Sequence, residues 1–269
     1  DYQNFKANDV GIPGSTVFPD NADVRYPDEF RELISAGYSI QNISKTFYKL
    51  SAKYSYQLIK RSVENIPHIV QNIPASGNDP ARRISVLKIT PSADHKNNNA
   101  QLQGNFWLFN SHNLMAGLDY WDRSYNGERE RYQLIETLDS SGNVVNTIDR
   151  IIGEKPIPNS NYSSLGIFAQ DEFKLFNDKL STTIGLRYDY IKISAEETLN
   201  PVYTITNGNL DTTPPDQEVL WEGTEANNSS YSGNIGFIYS LFSDLDLTLG
   251  LGSSFRSPSA FRSEERRVG

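Results

Sequence analysis

Cysteine is absent from all 269 residues. A disulfide scaffold, a thiolate metal centre and a cysteine nucleophile are thereby excluded from this chain. Long apolar runs are missing too. No stretch approaches the roughly 20 residues that a spanning helix needs, so any membrane crossing must be made with strands. Hydrophobic residues make up only 37% of the chain, with a mean hydropathy of -0.53, below the roughly 45 to 50% apolar content of an ordinary domain. A sheet that needs apolar residues on one face alone accounts for the shortfall. Positive charge is the minority, 25 Lys+Arg against 33 Asp+Glu for a formal net charge of -8, which argues against a nucleic-acid partner. No G-x-S-x-G, phosphate-loop or zinc motif occurs, and we expect no catalytic residues, no cofactor and no metal site.

What the chain does have is alternation. LDLTLGLGSSF sets Leu245, Leu247, Leu249 and Leu251 on one face of a strand and Asp246, Thr248, Gly250 and Gly252 on the other. Two environments accept this pattern: a soluble sandwich that buries the leucines against a second sheet, and an outer-membrane barrel that turns them to lipid. Aromatic residues are plentiful, with 15 Tyr, 13 Phe and 3 Trp, which suits interfacial girdles as well as sandwiches.

Strand-period segments recur as hairpins: ISAGYSI with LSAKYSYQLIK, AQLQGNFWLF with LMAGLDYWDRSYNG, LGIFAQDEFKL with LSTTIGLRYDYIKI, and YSGNIGFIYSL with LDLTLGLGSSF. Eight strands follow, most long enough for the roughly 9 to 11 residues of a tilted spanning strand. In the third hairpin Leu180, Thr182, Ile184, Leu186, Tyr188 and Tyr190 oppose Arg187 and Asp189. An arginine on a lipid face near mid-membrane costs about 2 to 4 kcal/mol, so Arg187, Asp189 and, by the same phase, Asp246 are expected on the lumen side. Asp171 fits this phase badly, because it shares the face of Ile167, Ala169 and Phe173. The other connections, approximately Ile66 to Ala81, Gln133 to Tyr162 and Ser194 to Asn228, read as long polar loops. Short turns at one rim and long loops at the other favour the membrane barrel over the sandwich.

NYSSLGIFAQDEFKLFNDKLSTTIGLRYDY resembles the barrel of TonB-dependent outer-membrane receptors, in which a "FAQDE" strand, a tight turn and a "GLRYD" strand recur in this order. LGLGSSFRSPSAF resembles a later strand of that family ending in an FRAP-like box, here Phe255, Arg256, Ser257 and Pro258. The resemblance implies an all-β, antiparallel transmembrane β-barrel of about 22 strands, of which residues 1–261 are a part. It also implies a plug domain that is absent from this sequence. The expected role is TonB-dependent uptake of an iron complex, siderophore or haem, across the bacterial outer membrane, with cobalamin and oligosaccharides open. The partners are the TonB complex, reached through the plug, outer-membrane lipid and the ligand. Residues 262–269, RSEERRVG, look like one reading frame of a sequencing adapter. The chain starts at Asp1 and its single methionine is Met115, so the natural N-terminus is expected upstream.

Under that resemblance the outer loops carry recognition, and Trp121, Arg123, Tyr125, Trp221 and Arg256 are the candidate ligand contacts. The histidines, His68, His95 and His112, lack metal-ligand spacing and read as surface residues. His68, at the base of a long loop, would be the axial ligand to test if the cargo were haem. Arg187 and Asp189 would meet the plug or simply neutralise one another. Two other readings remain: a passive porin or structural barrel, and a soluble β-sandwich adhesin whose leucine faces bury against each other.

Overall fold

The computed structural model describes residues 1–11, 22–109 and 111–255. The strands are β1 (Tyr2–Gly11), β2 (Asp23–Gln41), β3 (Phe47–Ser62), β4 (Glu64–Ile66), β5 (Ile69–Ile73), β6 (Ala81–Leu108), β7 (His112–Leu138), β8 (Val144–Glu154), β9 (Ser160–Leu175), β10 (Leu180–Ala195), β11 (Thr198–Asn200), β12 (Tyr203–Thr206), β13 (Asn209–Asp211), β14 (Glu218–Trp221), β15 (Thr224–Phe242) and β16 (Leu245–Ser253). One antiparallel sheet runs in the order β1-β2-β3-β6-β7-β9-β10-β15-β16. The four expected hairpins are β2–β3, β6–β7, β9–β10 and β15–β16, and β1 adds a strand that the alternation did not disclose.

The register aligns the apolar residues of every strand on one face. Tyr38 lies opposite Ala52, Ala52 opposite Leu102, Leu102 opposite Leu118, and Leu118 opposite Ile167, which faces Tyr188. No described residue covers this face: Leu186 is 68% exposed and Leu251 64%. The buried hydrophobics among the described residues are Val24, Ile191 and Ile193, so the leucine faces do not pack on one another as a sandwich requires. On β6 the apolar band runs from Leu108 up to Ala100, roughly the 9 residues a tilted strand uses to cross a bilayer. Tyr54, Tyr120 and Tyr190 border it, and the next outward row is Asn98, Asp122, Ser163 and Lys192. An aromatic border followed by polar residues is the outline of a lipid interface.

Asp171 keeps its place on the apolar face beside a hydrogen-bonding neighbour. His112 Nδ1 lies 2.6 Å from Asp171 Oδ2, and the imidazole stacks on Phe173 at 4.8 Å between centroids. The pair sits where β7 begins, at the edge of the band rather than at its centre, where pairing and nearby headgroups make a carboxylate tolerable. The short turns share a feature of their own: Leu108-Phe109, Leu175-Phe176 and Leu241-Phe242 each end a strand. Their phenylalanines are 87%, 71% and 64% exposed, a ring of aromatics at the rim.

Three regions expected as loops are built differently. β6 begins at Ala81 and β7 runs to Leu138, with 28 and 27 residues. The Ile66–Ala81 region holds β5, the Gln133–Tyr162 region holds the end of β7, β8 and the start of β9, and the Ser194–Asn228 region holds the end of β10, β11 to β14 and the start of β15. β8 pairs with β7, β12 with β8, and β13 with β12, while β5 pairs with β6 on the other side. The sheet therefore continues well past the apolar band. At about 3.3 Å per residue β6 spans roughly 90 Å of strand, about three times the thickness of a bilayer core.

Candidate functional site

Above the band, on the polar face, residues at every second position of three adjacent strands converge. β7 contributes Trp121, Arg123 and Tyr125; the register sets Arg123 opposite Asn97 and Tyr125 opposite His95 on β6. Gln57 and Ile59 of β3 lie opposite Asn97 and His95 in turn. Together with Arg61, and with Pro156 and Ile157 from the β8–β9 connection, these side chains line a hollow of about 490 Å³.

Its electrostatics are set by cations. Arg123 Nη2 donates to His95 Nδ1 at 3.1 Å, and the His95 and Tyr125 rings are 5.0 Å apart. Burial first, and then the charges of Arg123 and Arg61, hold the His95 imidazole below its usual pKa, with Asp94 opposing. Burial also pushes the Tyr125 phenol up. Arg61 Nε donates to Glu29 Oε1 at 2.8 Å. With its amide oxygen turned to β2, Gln57 accepts from Arg31 Nη2 at 2.9 Å and Nε at 3.0 Å. No group of three or more His, Asp or Glu side chains is placed to hold a metal ion among the described residues.

The shell above the hollow is rigidly paired. Glu154, 3% exposed, accepts from Arg129 Nε at 2.6 Å and from Arg131. On the opposite face Glu130 accepts from Tyr132 Oη at 2.5 Å and Tyr203 Oη at 2.6 Å. Those two bonds hold its carboxyl below the usual range, while burial and Glu130 push the Tyr203 phenol up.

The residues expected from sequence fall in several places. Arg123 and Tyr125 line the hollow. Trp121 stands next to them on β7, its ring edge-on to Tyr162 at 4.9 Å. Trp221 is set back: its Nε1 donates to the Pro156 carbonyl at 3.0 Å and so anchors the segment that closes one side of the hollow. His68 lies elsewhere, its Nε2 3.0 Å from Asp23 Oδ2. Arg256 is outside the described residues, as is the 262–269 segment. Within the band, Arg187 bonds Asp189 through Nε, at 3.0 and 2.8 Å, and Asp119 through Nη2, at 2.7 and 2.8 Å. Gly166 makes room for it, since a Cβ there would collide with the guanidinium. Asp246 lies opposite Ser240, on the polar face of β16.

Arg61 and Gln57 were not singled out from sequence, and His95, read there as a surface residue, lines the hollow instead. Only the register across β3, β6 and β7 brings them to Arg123, and the one local signal was the Trp121-x-Arg123-x-Tyr125 alternation.

A single-face apolar band, short turns at one rim and a tall sheet at the other define a membrane barrel wall. Residues 1–263 match the family described as "TonB dependent receptor-like, beta-barrel". The chain belongs to that family, whose members are TonB-dependent transporters of the outer membrane of Gram-negative bacteria. Among solved structures it is similar to one named "Copper transporter OprC", with 13% identity and a TM-score of 0.58 over 88% of this chain and 32% of that one. The chain thus spans about a third of that protein's length, and the likeness is one of fold. No curated protein matches the sequence.

Proposed function

We propose that this chain is part of the barrel of a receptor that imports an iron complex, a siderophore or haem, across the outer membrane, driven by TonB through a plug domain. The observation that carries the reading is the hollow between β3, β6 and β7. It stands on the polar face above the lipid band, where a solute arriving from outside would first meet the barrel wall. A solved structure of similar fold is named for copper. This chain has no cysteine and a single methionine, so it offers few of the soft ligands that favour Cu(I), and an organic iron chelate suits its lining better.

The test is uptake by cells carrying the full-length receptor under iron limitation. Accumulation of labelled ferric chelate or haem that disappears when TonB is deleted supports the reading. Accumulation indifferent to TonB sinks it in favour of a passive porin.

A further inference from the structure

The hollow carries a positive charge that the described residues leave unanswered, and we propose that it receives an oxyanion on the surface of the transported chelate, gripped by Arg123. The inference rests on the transport reading above and extends it to the charge of the cargo. On the same face Arg61, Arg129, Arg131 and Arg187 each hold a carboxylate. Arg123 has none among the described residues; its side-chain partner is the neutral lone pair of His95 Nδ1. A guanidinium presents a rigid fork that fits a carboxylate or a phosphate with two parallel hydrogen bonds. One carboxylate reaches the lining, Glu128, and Ser92 Oγ approaches it at 3.5 Å.

Burial first, and then the guanidiniums of Arg123 and Arg61, make a further proton on His95 unwelcome. A bare cation would meet those charges too, and no multidentate acidic or histidine cluster among the described residues stands ready to offset them. Ile59, Tyr125, Pro156 and Ile157 supply apolar flanks for the organic body of a chelate. The structure thus assigns the site to an anionic chelate rather than to a free metal ion or a neutral complex.

The decisive experiment measures equilibrium binding to the purified full-length receptor in detergent. The probes are ferric citrate, ferric pyrophosphate, a neutral ferric tris-hydroxamate and cupric ion alone. One of the two anionic chelates should bind, the carboxylate and phosphate arms deciding which. Arg123→Gln should weaken it by about tenfold or more, and Arg123→Lys should restore part of the loss by returning charge without the fork. Trypsin resistance and heat-modifiable gel mobility of each variant verify that the barrel has folded. Tighter binding of the hydroxamate or of cupric ion, failure of both anions to bind, or an affinity untouched by Arg123→Gln would each overturn the proposal. TonB dependence of uptake plays no part in this assay, so the transport reading can fail while the anion site stands, and the reverse.

Discussion

The lower end of the β6–β7 hairpin turns Leu102 and Leu118 outward and keeps Asp119 inward with Arg187. The upper end of the same hairpin pairs with β5 and β8 and encloses a carboxylate, Glu154, between Arg129 and Arg131. Below, stability comes from the solvent: leucines left bare in water would each forgo about 1.5 to 3 kcal/mol of transfer energy that lipid provides. Above, water bathes the sheet and gives no such reward, so ion pairs and added strands fix the structure. The comparison teaches that one pair of strands can be specified by two kinds of force in succession, with the tyrosine row at Tyr54, Tyr120 and Tyr190 marking the changeover.

The sharpest way to break this contrast is to put the same charge on each part. Leu186→Arg should destabilise the receptor by about 2 to 4 kcal/mol, whereas Ser194→Arg, on the same face above the tyrosines, should be close to neutral. Urea titration of folding into lipid vesicles reads both. Equal effects would erase the boundary drawn here. Next in size, Glu154→Ala leaves two half-buried guanidiniums without their shared carboxylate, with an expected cost of about 2 kcal/mol. Because the loss is local to the upper sheet, hydrogen exchange should quicken in β7 and β8 while the membrane band stays protected.

Trp221→Phe removes one indole hydrogen bond to Pro156, worth about 1 kcal/mol. Its signature is a several-fold weaker ligand affinity with the unfolding midpoint little changed. The smallest expected effect concerns His95. Its folded pKa lies below its unfolded value, so its stability contribution is present above the unfolded pKa of about 6.5 and is lost as pH falls through the lowered folded value. His95→Gln should flatten that acid-side decline. Bound anion reverses the preference, since it favours the imidazolium beside Arg61, Arg123 and Asp94. Affinity of the wild-type receptor for an anionic chelate should therefore rise on mild acidification, and affinity of His95→Gln should not.

The spanning hairpins were legible because lipid imposes a strict two-residue period, and Arg187 alone decided the phase of β10. The upper sheet was not. The stretch from Ala81 to Asn99, with Pro91 and a run of three asparagines, belongs to none of the hairpins read from sequence. It is extended because β7 offers it a partner along its whole length, and Pro91, which has no amide to donate, still accepts from Val63 N at 2.8 Å. Water on both sides removes the alternation that would have betrayed a strand. The hollow was half legible for the same reason. Arg123 and Tyr125 stood out within one strand, but His95 and Arg61 reach them only through cross-strand register, which a single sequence does not print.

The β6–β7 hairpin also bears on how the molecule comes into being. Its pairing starts at Leu108 opposite His112, only four positions on, and ends at Ala81 opposite Leu138. Closing so short a loop takes on the order of 10 to 100 ns in a flexible chain, and each later pair is brought into place by the one before it. Contacts that are local in this way form early and search little. The tallest element of the wall is thus among the easiest to assemble, able to zip from its turn and offer ready edges to β3 and β9, which join it across longer stretches of chain.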